Sequence, residues 1–527
     1  MKKLYRNITI SILFFWFSLP VCAQQPLYGG TLYVGMLTDA WSLDPIHIQT
    51  TTGIRVYLDA GIGETLYRWS VEDEKYLPWL ALELPEISED GLTYRIPLRQ
   101  GVKFHDGTSF NAHAMVYSIQ RILNPENKSY VYHKYADVID EVEALDDYTL
   151  QIRLKTRDHV FLAKLAGPEV SPVSRQAVEQ AGQEYGITTA VGTGPFHFVE
   201  WTPGDRIVLE RFEDYWQAGV PYLEKVVFKI IPEEAAALVQ LRLEEIHILE
   251  DVPRKDIHNL ITEASNLTVQ LLLGIQHEQI YLNNAHPPFN DLRVRQALAY
   301  ALDRQMISDV VFDGHALESV GPYHSWSWIH NPDWSQPYPY NPEKAEKLLT
   351  EAGYGPQNPL TFELMATNQD MFVDQAIIIQ EQLKQIGVQV DVLPLDKNVL
   401  FDRVYVRNAY QGQLAMFAAA LEDWGASVDD PENSAERVFA SNSGANKGFY
   451  KNPEVDRLFQ TIKAAKTLDE QKAFYYQTEA LIARDSPTIW ICNPKDAVAY
   501  SNKVQGFHPD ARYRLPLATV WLEEGRE

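Results

Sequence analysis

The sequence predicts an α/β protein built as lobes joined by short crossings. Three observations carry this. Strand-like and helix-like stretches alternate from Gly30 onward. The 527 residues exceed what one hydrophobic core ordinarily serves. No Gly/Ser-rich linker, internal repeat or low-complexity segment divides the chain. Compact units without linkers share a sheet or cross several times, which is the arrangement of a hinge around a cleft.

Individual elements follow from local pattern. Thr31–Met36 and residues 92–98, 207–212, 226–231 and 267–273 read as strands, each short, rich in β-branched and aromatic residues and bounded by turn formers. The run VVFKII is apolar almost throughout, as suits a strand covered on both faces. Asn341-Pro342 places a capping side chain before a proline at the first helical position, and Gly353 closes EKAEKLLTEAG. Asn452-Pro453 repeats that opening, and Thr467 with Glu470 forms a capping box before QKAFYYQTEALIARD. Residues 372–386 read as a helix stopped by Gly387, after which Val388, Val390 and Val392 alternate as a strand.

The first residues read as an export signal. Lys2, Lys3 and Arg6 precede an apolar stretch over residues 8–19, Pro20 breaks it, and Val21-Cys22-Ala23 offers small residues for a signal peptidase. Cleavage is expected after Ala23. The alternative, lipidation at Cys22, fits the preceding Leu19-Pro20-Val21 poorly, because a small residue is expected just before that cysteine. No stretch reaches the roughly twenty apolar residues that a bilayer span needs. With the leader removed only Cys492 remains, so no intramolecular disulfide is expected.

Formal net charge is −25, and loss of the basic leader makes it more negative. Nucleic-acid binding draws its affinity from Lys and Arg neutralising phosphates, so that class is excluded. Catalytic patterns are missing as well. His277-Glu278 is followed by no second helical histidine, and no GxSxG elbow or Walker loop is present. Gly192-Thr193-Gly194-Pro195 resembles a phosphate cradle only superficially, since Pro195 blocks the helix that would aim amides at an anion. Fourteen histidines lack metal-ligand spacing, and His324 and His330 beside SWSWI read as surface or core side chains. Arg293 and Arg295, two apart, point to different helix faces and are expected to pair with neighbouring acids. Paired-carboxylate hydrolysis stays open on composition alone, without a motif to support it.

At four places the chain resembles the family-five extracellular solute-binding proteins, the dipeptide-, oligopeptide- and nickel-binding components of ABC importers. These are residues 29–45 (GGTLYVGMLTDAWSLDP), residues 91–122 (strand, Gly-Val-Lys-Phe turn, His105-Asp106-Gly107 and helix), residues 191–233, and residues 290–304 (NDLRVRQALAYALDR). GFYKNPEVDRLF over 448–459 and the Val504-Gln505-Gly506-Phe507 ending are similar too. One departure is Ala114, where the family usually has an acidic residue.

The resemblance implies the two-lobed, type II periplasmic-binding-protein fold with a two-segment hinge and a subdomain inserted in the first lobe. The implied division is a signal peptide over 1–23, a first lobe over 24–66, 191–274 and 486–527, an insert over 67–190, and a second lobe over 275–485. It implies a periplasmic monomer that closes on a small-molecule ligand, a short peptide, and delivers it to the membrane permease of an ABC importer. No catalysis, cofactor or metal is implied. The same fold with a metal chelate, a sugar or an opine-like conjugate is the alternative, and an exported hydrolase is the alternative of another class.

Peptide-binding relatives carry a loop with Trp and, three positions on, an Asp that pairs with the ligand's α-ammonium. Such a carboxylate is favoured when buried only if a cation neutralises it. The matching segment here is 423–431. Trp424 matches, Ser427 stands at the Asp position, and Asp429 or Asp430 takes over the role unless the ligand has no free amine there. The opposite wall is the loop over 46–53 (IHIQTTTG), with Gln49 and Thr51 as candidate contacts. In oligopeptide relatives that segment meets the ligand through backbone groups, which reads extension rather than side chains. Thr50, Thr51 and Thr52 read equally well as a hydrophilic turn.

Overall fold

A computed structural model of the chain describes residues 25–70, 75–158, 160–404, 417–425, 431–465, 467–509 and 516–523. The leader, with Cys22 and the expected cleavage after Ala23, lies outside them.

The first sheet has seven strands in the spatial order Leu267–Leu272, Asp496–Ser501, Ile248–Leu249, Thr31–Met36, Lys225–Ile230, Arg206–Arg211 and Phe196–Thr202. Thr31–Met36 runs parallel to Lys225–Ile230 and Ile248–Leu249, while the outer strands join antiparallel. Both faces are covered, one by a core that includes Val34, Phe196 and Phe228, the other by one that includes Leu241, Ile246 and Leu249. The near-continuous apolar strands foresaw this double burial.

The second sheet has six strands, ordered Ala316–Glu318, Thr488–Pro494, Gln276–Leu282, Ala419–Gly425, Thr361–Thr367 and Gln389–Leu395. Helices cover it on both sides. Leu298, Ala345 and Ile379 pack with Ile280 and Leu421 on one face, while Val438, Phe459 and Ile482 pack with Tyr281 and Ala420 on the other. The expected caps are present: Asn341 accepts from the Lys344 amide at 2.9 Å, Asn452 from Glu454 at 2.9 Å, and Thr467 from Glu470 at 3.2 Å. A third, four-stranded sheet (Glu86–Ile87, Thr93–Pro97, Thr149–Leu154, Ile139–Asp146) carries its own core around Ile96, Phe104 and Ile152.

The two large sheets are joined twice. Leu267–Leu272 leads into Gln276–Leu282, and Thr488–Pro494 leads through Lys495 into Asp496–Ser501. On the first-lobe side the crossing strands pair with each other (Leu272 with Asp496), and on the second-lobe side they pair again (Glu278 with Cys492). Because Thr488–Pro494 belongs to the second sheet, the return crossing falls at Lys495 rather than near Asp485. No buried apolar cluster mixes the two bodies among the described residues.

Two local expectations change. The stretch after Ile48 is helical over Thr51–Ile54 and continues as a wider turn over Arg55–Asp59, with Thr50 Oγ1 capping the Gly53 amide at 3.1 Å. The threonine run is thus a helix start. Arg293 does pair with Asp291 at 2.6 Å, but Arg295 donates to the carbonyls of Phe289, Asp485 and Ser486. The Asp485 and Ser486 carbonyls need a donor because the helix Leu468–Asp485 ends there.

Candidate functional site

In open α/β sheets ligands bind beyond the carboxyl ends of the parallel strands. The register places those ends in both lobes beside the hinge. In the first lobe, Leu249 ends its strand opposite Ala499, close after the Lys495 crossing. In the second, Gly425 ends its strand opposite Gln276, the first residue after the other crossing. The crevice between the lobes therefore has the paired hinge as its floor and strand ends as its walls.

Trp424 sits at this end of the second lobe. Its side chain lies on the same face as those of His277 and Tyr281 and is half-buried. The Arg437 guanidinium stands 5.7 Å and the Lys447 ammonium 5.8 Å from the ring centre, and the indole Nε1 has no hydrogen-bond partner among the described residues. Ser427, Asp429 and Asp430 lie outside the described residues. Gln49 and Thr51 are exposed on the first lobe. Their segment is tied to the carboxyl end of Thr31–Met36 by Thr52, whose hydroxyl donates to the Thr38 carbonyl at 3.1 Å.

A charged group that the sequence reading missed occupies the hinge. Arg254, from the first lobe, donates through Nε and Nη2 to Asp496 Oδ1 at 3.2 and 2.9 Å, and through Nη2 to Gln276 Oε1 at 2.8 Å. Its Nη1 stands 3.5 Å from Glu278 Oε1. Glu278 is fully buried, and burial with the neighbouring Asp423 charge pushes its carboxyl up to about 8. Burial also raises Asp496. Nearby, Arg55 contacts Glu250 and lies 3.2 Å from Asp251. A charged residue inside QHEQIYL, otherwise a strand for a covered sheet, was the available signal.

The histidines by SWSWI are buried near the same floor. His324 stacks on His277 at 3.8 Å and on Trp326 at 4.7 Å, and its Nε2 lies 3.0 Å from the Ile275 carbonyl. Burial holds His324 down at about 3 and His277 well below the usual range, so both rings are neutral. His330 lies 2.6 Å from Glu479. No cluster of three metal-ligating side chains occurs among the described residues.

Other candidate features have structural uses. The Gly192–Gly194 turn packs on residues 61–63, where a Cβ on either glycine would collide with the Ile62 or Gly61 carbonyl. Thr193 there donates to Glu64 at 2.9 Å. Glu64, fully buried, also accepts from Trp79 at 2.6 Å, Tyr215 at 2.8 Å and Trp216 at 3.0 Å. A hollow of about 670 Å³ lies on the first lobe beside Arg121 and Tyr185. Its main charges are matched, since Arg121 grips Asp44 with both terminal nitrogens at 3.1 and 2.7 Å.

Two α/β lobes on a paired hinge, with strand ends turned to the crevice between them, define a two-lobed binding protein of the periplasmic type. Residues 75–446 match the family described as bacterial extracellular solute-binding proteins, family 5 middle, and the chain belongs to that family. The glutathione-binding protein GsiB of Pectobacterium atrosepticum is 32% identical over 440 residues, covering 81% of this chain and 83% of the relative. The ABC transporter-associated binding protein DppA from Helicobacter pylori, solved with the peptide STSA, has a TM-score of 0.75 at 26% identity, over 94% of this chain and 99% of that one. The oligopeptide-binding protein AppA from Bacillus subtilis, solved with a nonapeptide, has a TM-score of 0.75 at 26% identity, over 95% and 100%. These relatives and the family are all described as binding proteins. The family is extracellular, and among the described residues no helix is long and apolar enough to cross a membrane.

Proposed function

We propose that this protein captures short peptides in the crevice between its lobes and delivers them to the membrane permease of an ABC importer. The observation that carries the reading is the hinge. Two bodies with separate cores meet through paired crossing strands, beside which the strand ends of both sheets converge. Such an arrangement can close on a guest and open again without repacking either core. The peptide class is supported by the peptides bound in the DppA and AppA structures and by the peptide-like ligand named for GsiB.

In this reading Gln49 and Thr51 present the first-lobe wall and Trp424 the second, with Ser427, Asp429 and Asp430, outside the described residues, as further ligand contacts. The protein acts as a periplasmic monomer released after Ala23. Thermal unfolding of the mature protein with a di- to hexapeptide library tests the function. Ligand at 100 times its Kd adds roughly 2.7 kcal/mol, a clear upward shift. A library without any shift, together with a copurifying non-peptide identified by mass spectrometry, would replace peptide with that molecule.

A further inference from the structure

Trp41 is the most exposed large apolar side chain among the described residues, at 69%. Single exposed apolar side chains are common, so exposure alone says little. Its mounting says more. Ala40 and Leu43, on either side of Trp41 and Ser42, are buried in the first-lobe core. Before the ring, Asp39 Oδ1 accepts from the Ala40 amide at 2.8 Å and from Trp201 Nε1 at 3.1 Å, while Oδ2 accepts from the Gly204 amide at 2.7 Å. After it, the Leu43 amide donates to the Gly186 carbonyl at 2.7 Å, and Arg121 grips Asp44. Trp41 thus stands on a short loop fixed at both ends. No hydrogen bond, ring or cation reaches its side chain among the described residues.

The loop lies at the crevice. It follows Thr31–Met36, and in such folds the ligand binds beyond the carboxyl ends of the parallel strands. It also runs against the wall segment that carries Gln49 and Thr51. Thr38 Oγ1 is 2.8 Å from Thr52 Oγ1, and the Ser42 carbonyl oxygen would stand 2.9 Å from a Cβ at Gly53. Trp41, Gln49 and Thr51 are all exposed.

We infer that Trp41 is a first-lobe contact for the ligand, a surface on which one planar side chain of the bound peptide stacks, an aromatic ring or a guanidinium. This rests on the peptide reading and deepens it by adding a side-chain preference. Both groups are favoured on an indole face, rings by offset stacking and a guanidinium by cation–π attraction. A loop already pinned loses little freedom when a guest arrives, so ordering the protein offsets little of the contact.

The test takes the tightest peptide of the library above and remakes it with each residue in turn replaced by alanine. Calorimetry measures every form on wild type, Trp41→Ala and Trp41→Tyr, and thermal unfolding of each ligand-free variant checks that it is folded. The expected result is an affinity loss of about tenfold in Trp41→Ala, with most of the affinity kept in Trp41→Tyr. Replacing one planar residue of the peptide by alanine should cost the same on wild type and nothing further on Trp41→Ala. Phe, Tyr, Trp or His at that position identifies a ring, and Arg a guanidinium. Leucine there, apolar but not flat, should leave most of the loss. Unchanged affinity in Trp41→Ala, a loss shared equally by all peptide forms, or full recovery with leucine overturns the inference while peptide capture stands. A library with no binder overturns both.

Discussion

Arg254 Nη2 donates to Gln276 Oε1 at 2.8 Å, so a side chain of the first lobe is fixed to the first strand residue of the second. The same guanidinium holds Asp496, on the other crossing strand, and approaches Glu278. One residue thus ties both crossings at the point where the lobes turn against each other.

Arg254→Gln should be strongly destabilising. Removing one partner of a buried charge pair leaves the others uncompensated, at about 3 kcal/mol or more. Urea unfolding of the ligand-free protein measures this. A loss below about 1 kcal/mol would show that Asp496 and Glu278 manage without the guanidinium.

Trp424→Ala should weaken peptide binding about tenfold or more and lower unfolding stability by only about 1 kcal/mol, because the ring is half-buried at a strand end. Calorimetry and thermal unfolding together read the two effects. A large stability loss with unchanged affinity would make the ring a packing residue.

Glu278→Gln should alter how stability depends on pH. The native carboxyl titrates near 8, above its unfolded value, so from about pH 4.5 to 8 the folded state holds a proton that the unfolded state has released. Wild-type stability relative to the variant is therefore greatest at low pH. It falls as pH rises through this window by no more than about 1.4 kcal/mol per pH unit. Unfolding at pH 5, 6.5 and 8 checks the sign, and parallel profiles would contradict it.

Glu64→Ala should cost about 3 kcal/mol or more, since the buried donors of Thr193 and Tyr215 and the part-buried ones of Trp79 and Trp216 lose their acceptor together. Chemical denaturation reads the loss. A cost under 1 kcal/mol would mean that water replaces the carboxylate.

What could be read from the sequence was local. The caps at Asn341, Asn452 and Thr467 depend on residues within one turn and were legible. So were the covered strands, because apolar runs report burial on both faces. The wall segments are expectations from resemblance, and of them Trp424 stands one residue before the end of the strand Ala419–Gly425. The hinge charges were not legible, because strand register brings Glu278, Asp423 and Asp496 to the hinge over long separations and Arg254 reaches them from a short helical turn outside the sheet. The same holds for Glu64, whose four donors come from three separate stretches. The threonine run stayed open between a ligand-facing loop and a turn because the capping role of Thr50 depends on an irregular helix with a wide last turn.

The order of strands in the first sheet bears on how such a chain is made. Asp496–Ser501, near the end of the sequence, lies between Leu267–Leu272 and Ile248–Leu249 and holds both. A polypeptide emerging amino end first can complete the insert early, but it cannot seal the first sheet until almost all of it has arrived. The late arrival of that strand makes the sealing of the first sheet the last step in the lobe's compaction.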